Sequence, residues 1–303
     1  MFYNDLNSHL KSKYGVKVYK LSLDGGLTCP NRDGTVGTRG CIFCSDTGSG
    51  EFAERACGDI SLQLERAKSR VEAKNRGGKY IAYFQSFTNT YGDIAYLERL
   101  YREAIAPDYI VALSVATRPD CLGDEVIALL SEINKIKPVS VELGLQTIHE
   151  KTAEYIRRGY KTEVFDHAVE RLSAAGIDVV AHLIIGLPQE TPEMICDTVR
   201  HVARLGVNGV KFHLLYVIKG TDLEADYNNG LFEVLSLEKY VDILEECIRL
   251  LPESVVIHRL TGDGAKRDLV APLWSADKKK VLNYIKKRFE NDCLIQGSEY
   301  KKG

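Results

Sequence analysis

The 303-residue chain has no apolar run of membrane-spanning length and no uninterrupted apolar stretch in its first twenty residues. Neither a transmembrane helix nor a secretory leader is therefore expected, and the chain reads as cytoplasmic. It lacks a dominant charge, because 40 Lys and Arg against 42 Asp and Glu leave a formal −2. Bulk electrostatics announce no polyanionic partner. No repeat or low-complexity linker divides it. With 45% hydrophobic and 27% charged residues, the composition is that of an ordinary globular protein with a sizeable core. Its eight cysteines suggest thiols or metal ligands rather than a disulfide framework. Four of them, Cys121, Cys196, Cys247 and Cys293, are scattered and expected to pack as small hydrophobes. The most telling absence is local: Cys29, Cys41 and Cys44 close a glycine-rich loop with no fourth cysteine at a plausible ligand spacing, Cys57 being the nearest.

Three thiolates hold a [4Fe-4S] cubane but leave one iron without a protein ligand. Such an iron takes the amino and carboxylate groups of S-adenosylmethionine and brings its sulfonium within electron-transfer range, so the loop reads as a radical generator. Pro30, Gly34, Gly37 and Gly40 allow a long loop to fold tightly, and Arg32 and Arg39 are placed to balance the cluster's negative charge. Two plainer readings use the same thiols. A structural zinc site needs a second Cys or His pair, and none follows Cys44 at the usual distance. A thioredoxin-like dithiol of Cys41 and Cys44 needs a helix to open there, where residues 45–50 look like loop.

After that loop, strand-like runs at 17–23, 79–84, 109–116, 139–145, 178–185 and 209–216, with a short one at 255–260, alternate with amphipathic helical stretches. Leu64, Ala67 and Val71 recur at helical spacing, as do Ile195, Val199, Val202 and Ala203 behind a Thr191 cap and a first-turn Pro192. The fold class expected is α/β, a partial (β/α)6-type barrel over residues 1–220 with a C-terminal extension at 221–303, and its active site at the strands' carboxyl ends. Period two puts Ser140, Glu142, Gly144 and Gln146 on one face of the fourth strand, His182 in line with Val180 and Ile184 on the fifth, and Lys211 in line with His213 on the sixth. Burying such groups without partners costs roughly 2 kcal/mol or more each. A ligand-lined lumen removes that cost.

The loop and the strand series together resemble the radical S-adenosylmethionine superfamily, and within it the branch of the Elongator catalytic subunit and the YhcC/YtqA-type proteins. The residues that carry the likeness are TCPNRDG at 28–34, CIFC at 41–44, YFQSFTNTY at 83–91, TRPD at 117–120, ELGLQ at 142–146, RRGY at 157–160 and IGLP at 185–188. RLTGD at 259–263 and APLW at 271–274 point to the YhcC/YtqA type. The resemblance implies that Cys29, Cys41 and Cys44 ligate the cluster and that Phe43 packs near the adenine. Gln85, Ser86 and Thr88 stand where the superfamily's Gly-Gly-Glu element holds the cofactor's amino group, with the glycines and glutamate absent. It further implies Glu142 and Gln146 for the ribose hydroxyls, Arg158 for the methionyl carboxylate, and Ile185, Gly186 and Leu187 for the adenine face. Arg118, Asp120, His182, Lys211 and His213 remain for substrate or local structure.

The YhcC/YtqA type is associated with tRNA wobble uridine modification, in which a carboxymethylaminomethyl substituent is trimmed to aminomethyl. The resemblance thus implies tRNA as partner, a reductant such as flavodoxin or ferredoxin, and no membrane. Lys211 or Arg118 would meet the substrate carboxylate. Basic residues near both termini (Lys11, Lys13, Lys17, Lys20, and the run from Lys266 to Arg288) would hold phosphates, while Trp274, Tyr91 and Tyr160 offer stacking surfaces or, for the tryptophan, core packing. Neither an acetyltransferase domain after the barrel nor a second cysteine triplet for a sulfur-donating cluster is expected. A radical enzyme acting on a small metabolite or tetrapyrrole, and a zinc-stabilised β/α binding protein, are the alternatives.

Overall fold

The computed structural model describes residues 2–46, 48, 50, 53–262 and 266–301, so Asp263 of the RLTGD run lies outside the described residues. Nine strands are present among them: β1 (Val18–Leu23), β2 (Lys79–Phe84), β3 (Ile110–Thr117), β4 (Val139–Gln146), β5 (Asp178–Ile185), β6 (Gly209–Leu214), β7 (Val217–Ile218), β8 (Val256–Arg259) and β9 (Leu269–Ala271). Seven form one sheet in the order β1-β2-β3-β4-β5-β6-β8, and every pairing is parallel. The segment beyond residue 220 thus does more than pack on the outside, since it supplies β8. The short pair β7 and β9 is antiparallel and stands beyond the carboxyl end of β6.

The sheet is curled. In a flat sheet β1 and β6 would lie about 24 Å apart at about 4.8 Å per strand, yet Lys20 of β1 and Lys211 of β6 both bond the Glu142 carboxylate of β4. The outer faces of the strands and the crossover helices form one continuous core, including Leu21, Leu113, Leu143, Phe165, Val199 and Phe212. The helix Leu6–Tyr14 stops the lumen at the opposite end from the cavity, where Leu10 packs with Val18, Ile81 and Ala112 at the amino ends of β1, β2 and β3.

The helix Pro192–Leu205 shows how local sequence builds this shell. Thr191 accepts a hydrogen bond from the Met194 amide, proline fills the first position, and Gly206 closes the other end at φ 74°. Its buried stripe is Ile195, Cys196, Val199, Val202 and Ala203. Because the exposed Thr191 hydroxyl does only this capping, Thr191→Ala should cost about 1 kcal/mol, read as a lower urea midpoint with an unchanged slope. Cys196 and Cys247 are buried as expected, but Cys293 is exposed and Cys121 is only partly covered. Cys121 ends the short 3-10 helix Pro119–Cys121 and Cys293 lies in the turn after the last helix, both outside the packed helix stripes.

Candidate active site

At the carboxyl ends of the strands lies a cavity of about 270 Å³ bordered by all three loop cysteines and by side chains of β2 to β6 and β8. The loop is fastened over it by backbone bonds from Ile42 N to Ile156 O (3.1 Å) and from Leu223 N to Ile42 O (3.1 Å). Asn31 Nδ2 donates to Arg157 O (2.6 Å) and lies 3.6 Å from Cys41 Sγ. Arg32 donates to the carbonyls of Cys44 (3.0 Å) and Ser45 (2.6 Å). Burial, with Cys44 close by, pushes the Cys41 thiol up to about 12, whereas a thioredoxin-like dithiol is one whose pKa is lowered. Nor does a helix open after Cys44 among the described residues. No three His, Cys, Asp or Glu groups among the described residues close on a single-ion site.

Glu142 organises the floor. Its side chain is fully enclosed, with Lys20 and Ser114 (3.0 Å) on Oε1 and Tyr83 (2.9 Å), His182 (2.7 Å) and Lys211 (2.8 Å) on Oε2. Lys211 also donates to the Tyr83 hydroxyl at 2.9 Å. Although burial alone would raise it, the ammoniums of Lys20 and Lys211 hold the Glu142 carboxyl well below the usual range. Burial brings Lys211 down to about 7, with Glu142 opposing. Burial, followed by the Lys211 charge, lowers His182 to about 4, and burial likewise lowers His213, whose ring centroid is 5.1 Å from that of His182. Both imidazoles are therefore neutral near pH 7.

This saturation corrects two roles that the resemblance implied. Five donors already occupy the two oxygens of Glu142, so no lone pair is left for a ribose hydroxyl. Arg158 is 1% exposed and spends all five donors inside the protein, on the carbonyls of Tyr160, Leu145 and Thr147, on Glu150 Oε1 and on Thr162 Oγ1. It braces the turn after β4 and has nothing left for a methionyl carboxylate. Arg118 borders the cavity, but its guanidinium is bidentate to Asp120 (2.9 and 2.7 Å) and also reaches Arg158 O (3.0 Å).

Of the other expected site residues, Phe43, Gln85, Thr88, Gln146, His182, Lys211 and His213 border the cavity with the three cysteines. Ser86, Gly186 and Leu187 do not. Ser86 is buried behind the wall. Gly186, at φ 94°, faces Leu235 and Leu215, and Leu187 packs among Ile42, Ile156 and Leu223. Ile185 points into the helix-side core, and its neighbour Ile184 takes the cavity position. Tyr160 is no stacking platform, since the guanidiniums of Arg118 and Arg158 already lie 4.8 and 4.9 Å from its ring centre. Trp274 is a packing residue, against Tyr240 at 5.8 Å and bonded to Leu235 O at 2.9 Å.

The N-terminal lysines form no phosphate-binding rim at the mouth. Lys11 and Lys13 belong to the helix at the opposite end, Lys17 reaches Lys74 O (3.3 Å), and Lys20 is inside the lumen. Sequence reasoning overlooked Tyr83 and Arg259 as cavity groups and Lys20 as a partner of Glu142 beneath it. Period two from Lys20 and Tyr83 would have placed both on inward faces. Nothing local marks Arg259.

The donor set fits an iron-sulfur cluster and a polar nucleotide cofactor. Three thiols border the cavity, and two buried polar atoms on its wall, Thr88 Oγ1 and His213 Nε2, have no hydrogen-bond partner among the described residues.

Comparison with known proteins agrees. The Radical SAM superfamily profile matches residues 33–202, and the Radical_SAM C-terminal domain matches residues 207–291. YtqA of Bacillus subtilis is 43% identical over 300 residues, covering 99% of this chain and 93% of that one. A tRNA uridine(34) acetyltransferase of Methanocaldococcus jannaschii is 29% identical over 156 residues, 50% of this chain and 28% of that one. The solved structure of the archaeal Elp3 of Methanocaldococcus infernus with an N-terminal deletion superposes with a TM-score of 0.71 at 18% identity, over 92% of this chain and 64% of that one, a likeness of fold. Among the described residues no helix is long and apolar enough to cross a membrane. With its profile match across more than half its length and a full-length relative in YtqA, the chain belongs to the radical SAM superfamily, as an enzyme whose cofactors are a [4Fe-4S] cluster and S-adenosylmethionine.

Proposed function

We propose that this enzyme acts on the wobble uridine of tRNA, trimming a carboxymethylaminomethyl substituent to aminomethyl, with S-adenosylmethionine as the net two-electron oxidant of the C–N methylene and water cleaving the resulting imine so that the two-carbon unit leaves as glyoxylate. The observation that carries the reading is the similarity of half the chain to a protein named for tRNA uridine 34, joined to a cavity whose floor holds two ammoniums against one carboxylate. Cys29, Cys41 and Cys44 hold the cluster, and Asn31 and Arg32 fix the loop that carries them. When bound, the cluster and S-adenosylmethionine supply one-electron cleavage of the sulfonium to methionine and a hydrogen-abstracting 5'-deoxyadenosyl radical.

The chain's own residues do the rest. Thr88 Oγ1, buried and unpartnered among the described residues, and Gln85 would hold the cofactor's amino end, and Gln146, Phe43 and Ile184, which border the cavity, would take its nucleoside end. The reacting carbon would be the methylene between the substituent's amine and its carboxylate, held against the cofactor by the cavity walls. An anticodon-loop base is single-stranded and enters such a mouth after unstacking. Lys279 and Lys280 are exposed at the start of the helix Lys278–Asn291. These lysines are the groups that would meet tRNA phosphates. A flavodoxin or ferredoxin delivers the electron.

Nucleoside mass spectrometry of tRNA from a strain lacking the gene tests this. Carboxymethylaminomethyluridine should accumulate at the expense of aminomethyl forms. An unchanged wobble-uridine profile overturns the substrate and leaves the cofactor chemistry standing.

A further inference from the structure

We infer that Arg259, with Lys211 beside it, is the seat of an acidic group on the substrate, and that this seat rather than Arg118 distinguishes substrate from product. The inference rests on the wobble-uridine reading for the identity of that acid, but the seat itself is argued from charge and placement.

Four arginines border the cavity, namely Arg32, Arg118, Arg158 and Arg259. Three have partners: Arg32 holds two loop carbonyls and lies 4.0 Å from Asp46, Arg118 is bidentate to Asp120, and Arg158 spends all five donors. Arg259 is half-buried at the end of β8 and, among the described residues, has no hydrogen-bond or ion-pair partner. A guanidinium does not lie idle in a low-dielectric cleft without cost. The floor offers it no free negative charge, because Glu142 is saturated and the neighbouring imidazoles of His182 and His213 are neutral. Among the described residues two lysines and one guanidinium thus face one carboxylate, a positive excess that an acidic ligand group would balance.

Placement shows which ligand. Arg259 is the register partner of Lys211 across β6 and β8, and its field is felt by Tyr83, Lys211, His213 and Tyr240. Arg32 and Arg118 are the cations whose fields reach the cysteines. The loop side of the cavity therefore has its own counter-charges, and Arg259 belongs to the opposite wall, where a substrate group enters beyond the cofactor. The unpartnered His213 Nε2 is on that wall as well. A planar fork beside an ammonium suits a carboxylate taken bidentately. The aminomethyl product has lost that carboxylate and kept a positive charge, so the cations that hold the substrate repel the product and speed its release.

Reconstituted holoenzyme tests the seat with Arg259→Gln, and with Arg259→Lys in case the first variant folds poorly. The probes are 5-carboxymethylaminomethyluridine and its carboxamide. In the wild type the acid should bind better than the amide, and Arg259→Gln should weaken acid binding roughly 10–100-fold while leaving the amide unchanged, with the lysine variant between. Unchanged discrimination in the variant overturns the seat. A parallel titration with S-adenosylmethionine separates the two possible sources of a carboxylate: if Arg259→Gln lowers that affinity instead, the acid is the cofactor's own and the substrate assignment fails. If wild-type enzyme binds neither nucleoside, the uridine reading fails, and the seat is judged by calorimetry with iminodiacetate. Binding to the wild type and loss in Arg259→Gln upholds it. No binding, or equal binding to both, overturns it.

Discussion

Anaerobically reconstituted Cys41→Ala protein is expected to bear no chelated cubane and to cleave no S-adenosylmethionine, while its far-ultraviolet dichroism stays that of the wild type. The separation of the two effects follows from how the loop is held. Its position over the cavity depends on backbone bonds of Ile42 to Ile156 and Leu223 and on the Asn31 and Arg32 side chains, none of which needs the Cys41 sulfur to close. A buried thiol pushed up to about 12 is a poor anion by itself, and only a cation such as iron draws the thiolate from it. Cys121, which does not border the cavity, supplies the control. Cys121→Ala should keep iron content, visible absorption and cleavage. Cleavage by the Cys41 variant at the wild-type rate would refute the ligand set, and loss of the dichroism would refute the claim that the barrel stands without it.

Glu142→Gln should be among the most destabilising single changes in the chain, costing about 3–5 kcal/mol. The carboxylate is enclosed, and its removal leaves the Lys20 ammonium without its counter-charge, drives Lys211 to shed its proton, and breaks the hydrogen bonds from Tyr83, Ser114 and His182. Pairing the change with Lys211→Met removes one of the two lysines, so the double variant should be more stable than the sum of the two single losses predicts. Urea unfolding of the four proteins gives the coupling, and simple additivity would sink the network.

The pH dependence has a definite sign. Since the folded pKa of Glu142 lies well below its unfolded value, its contribution is complete above about pH 4.3 and is lost as the pH falls through the lower folded value. Lys211 acts in another window. Held at about 7 when folded, it binds fewer protons than the unfolded chain up to about pH 10.4, so stability rises with pH across that interval and the rise disappears in Lys211→Met.

The strands were legible because a parallel sheet wrapped by helices demands apolar runs of fixed length, and each expected run coincides with a strand to within two residues. Inward faces were legible too, since a period of two is local. It placed Glu142, His182, Lys211 and His213 around one lumen before any tertiary contact was known, and all four border the cavity. Roles were not legible in the same way. Arg158 and Glu142 look like available binding groups in the sequence, and only the folded chain shows their hydrogen-bonding capacity consumed. Ser86, Gly186 and Leu187 lie within a residue or two of the cavity wall but turn away from it, a matter of which side of the backbone the curl exposes.

The amino-acid sequence by itself determined the three-thiol loop, the β/α rhythm and the polar inward set, because each depends on spacing along the chain. Tertiary structure alone decided that Lys20 joins the floor instead of an outer rim, that β8 completes the sheet, and that Arg259 is the cavity guanidinium without a partner among the described residues. Those facts depend on the curvature that brings β1, β4, β6 and β8 around one space. Curvature is a property of all the strands together, and no stretch of sequence states it.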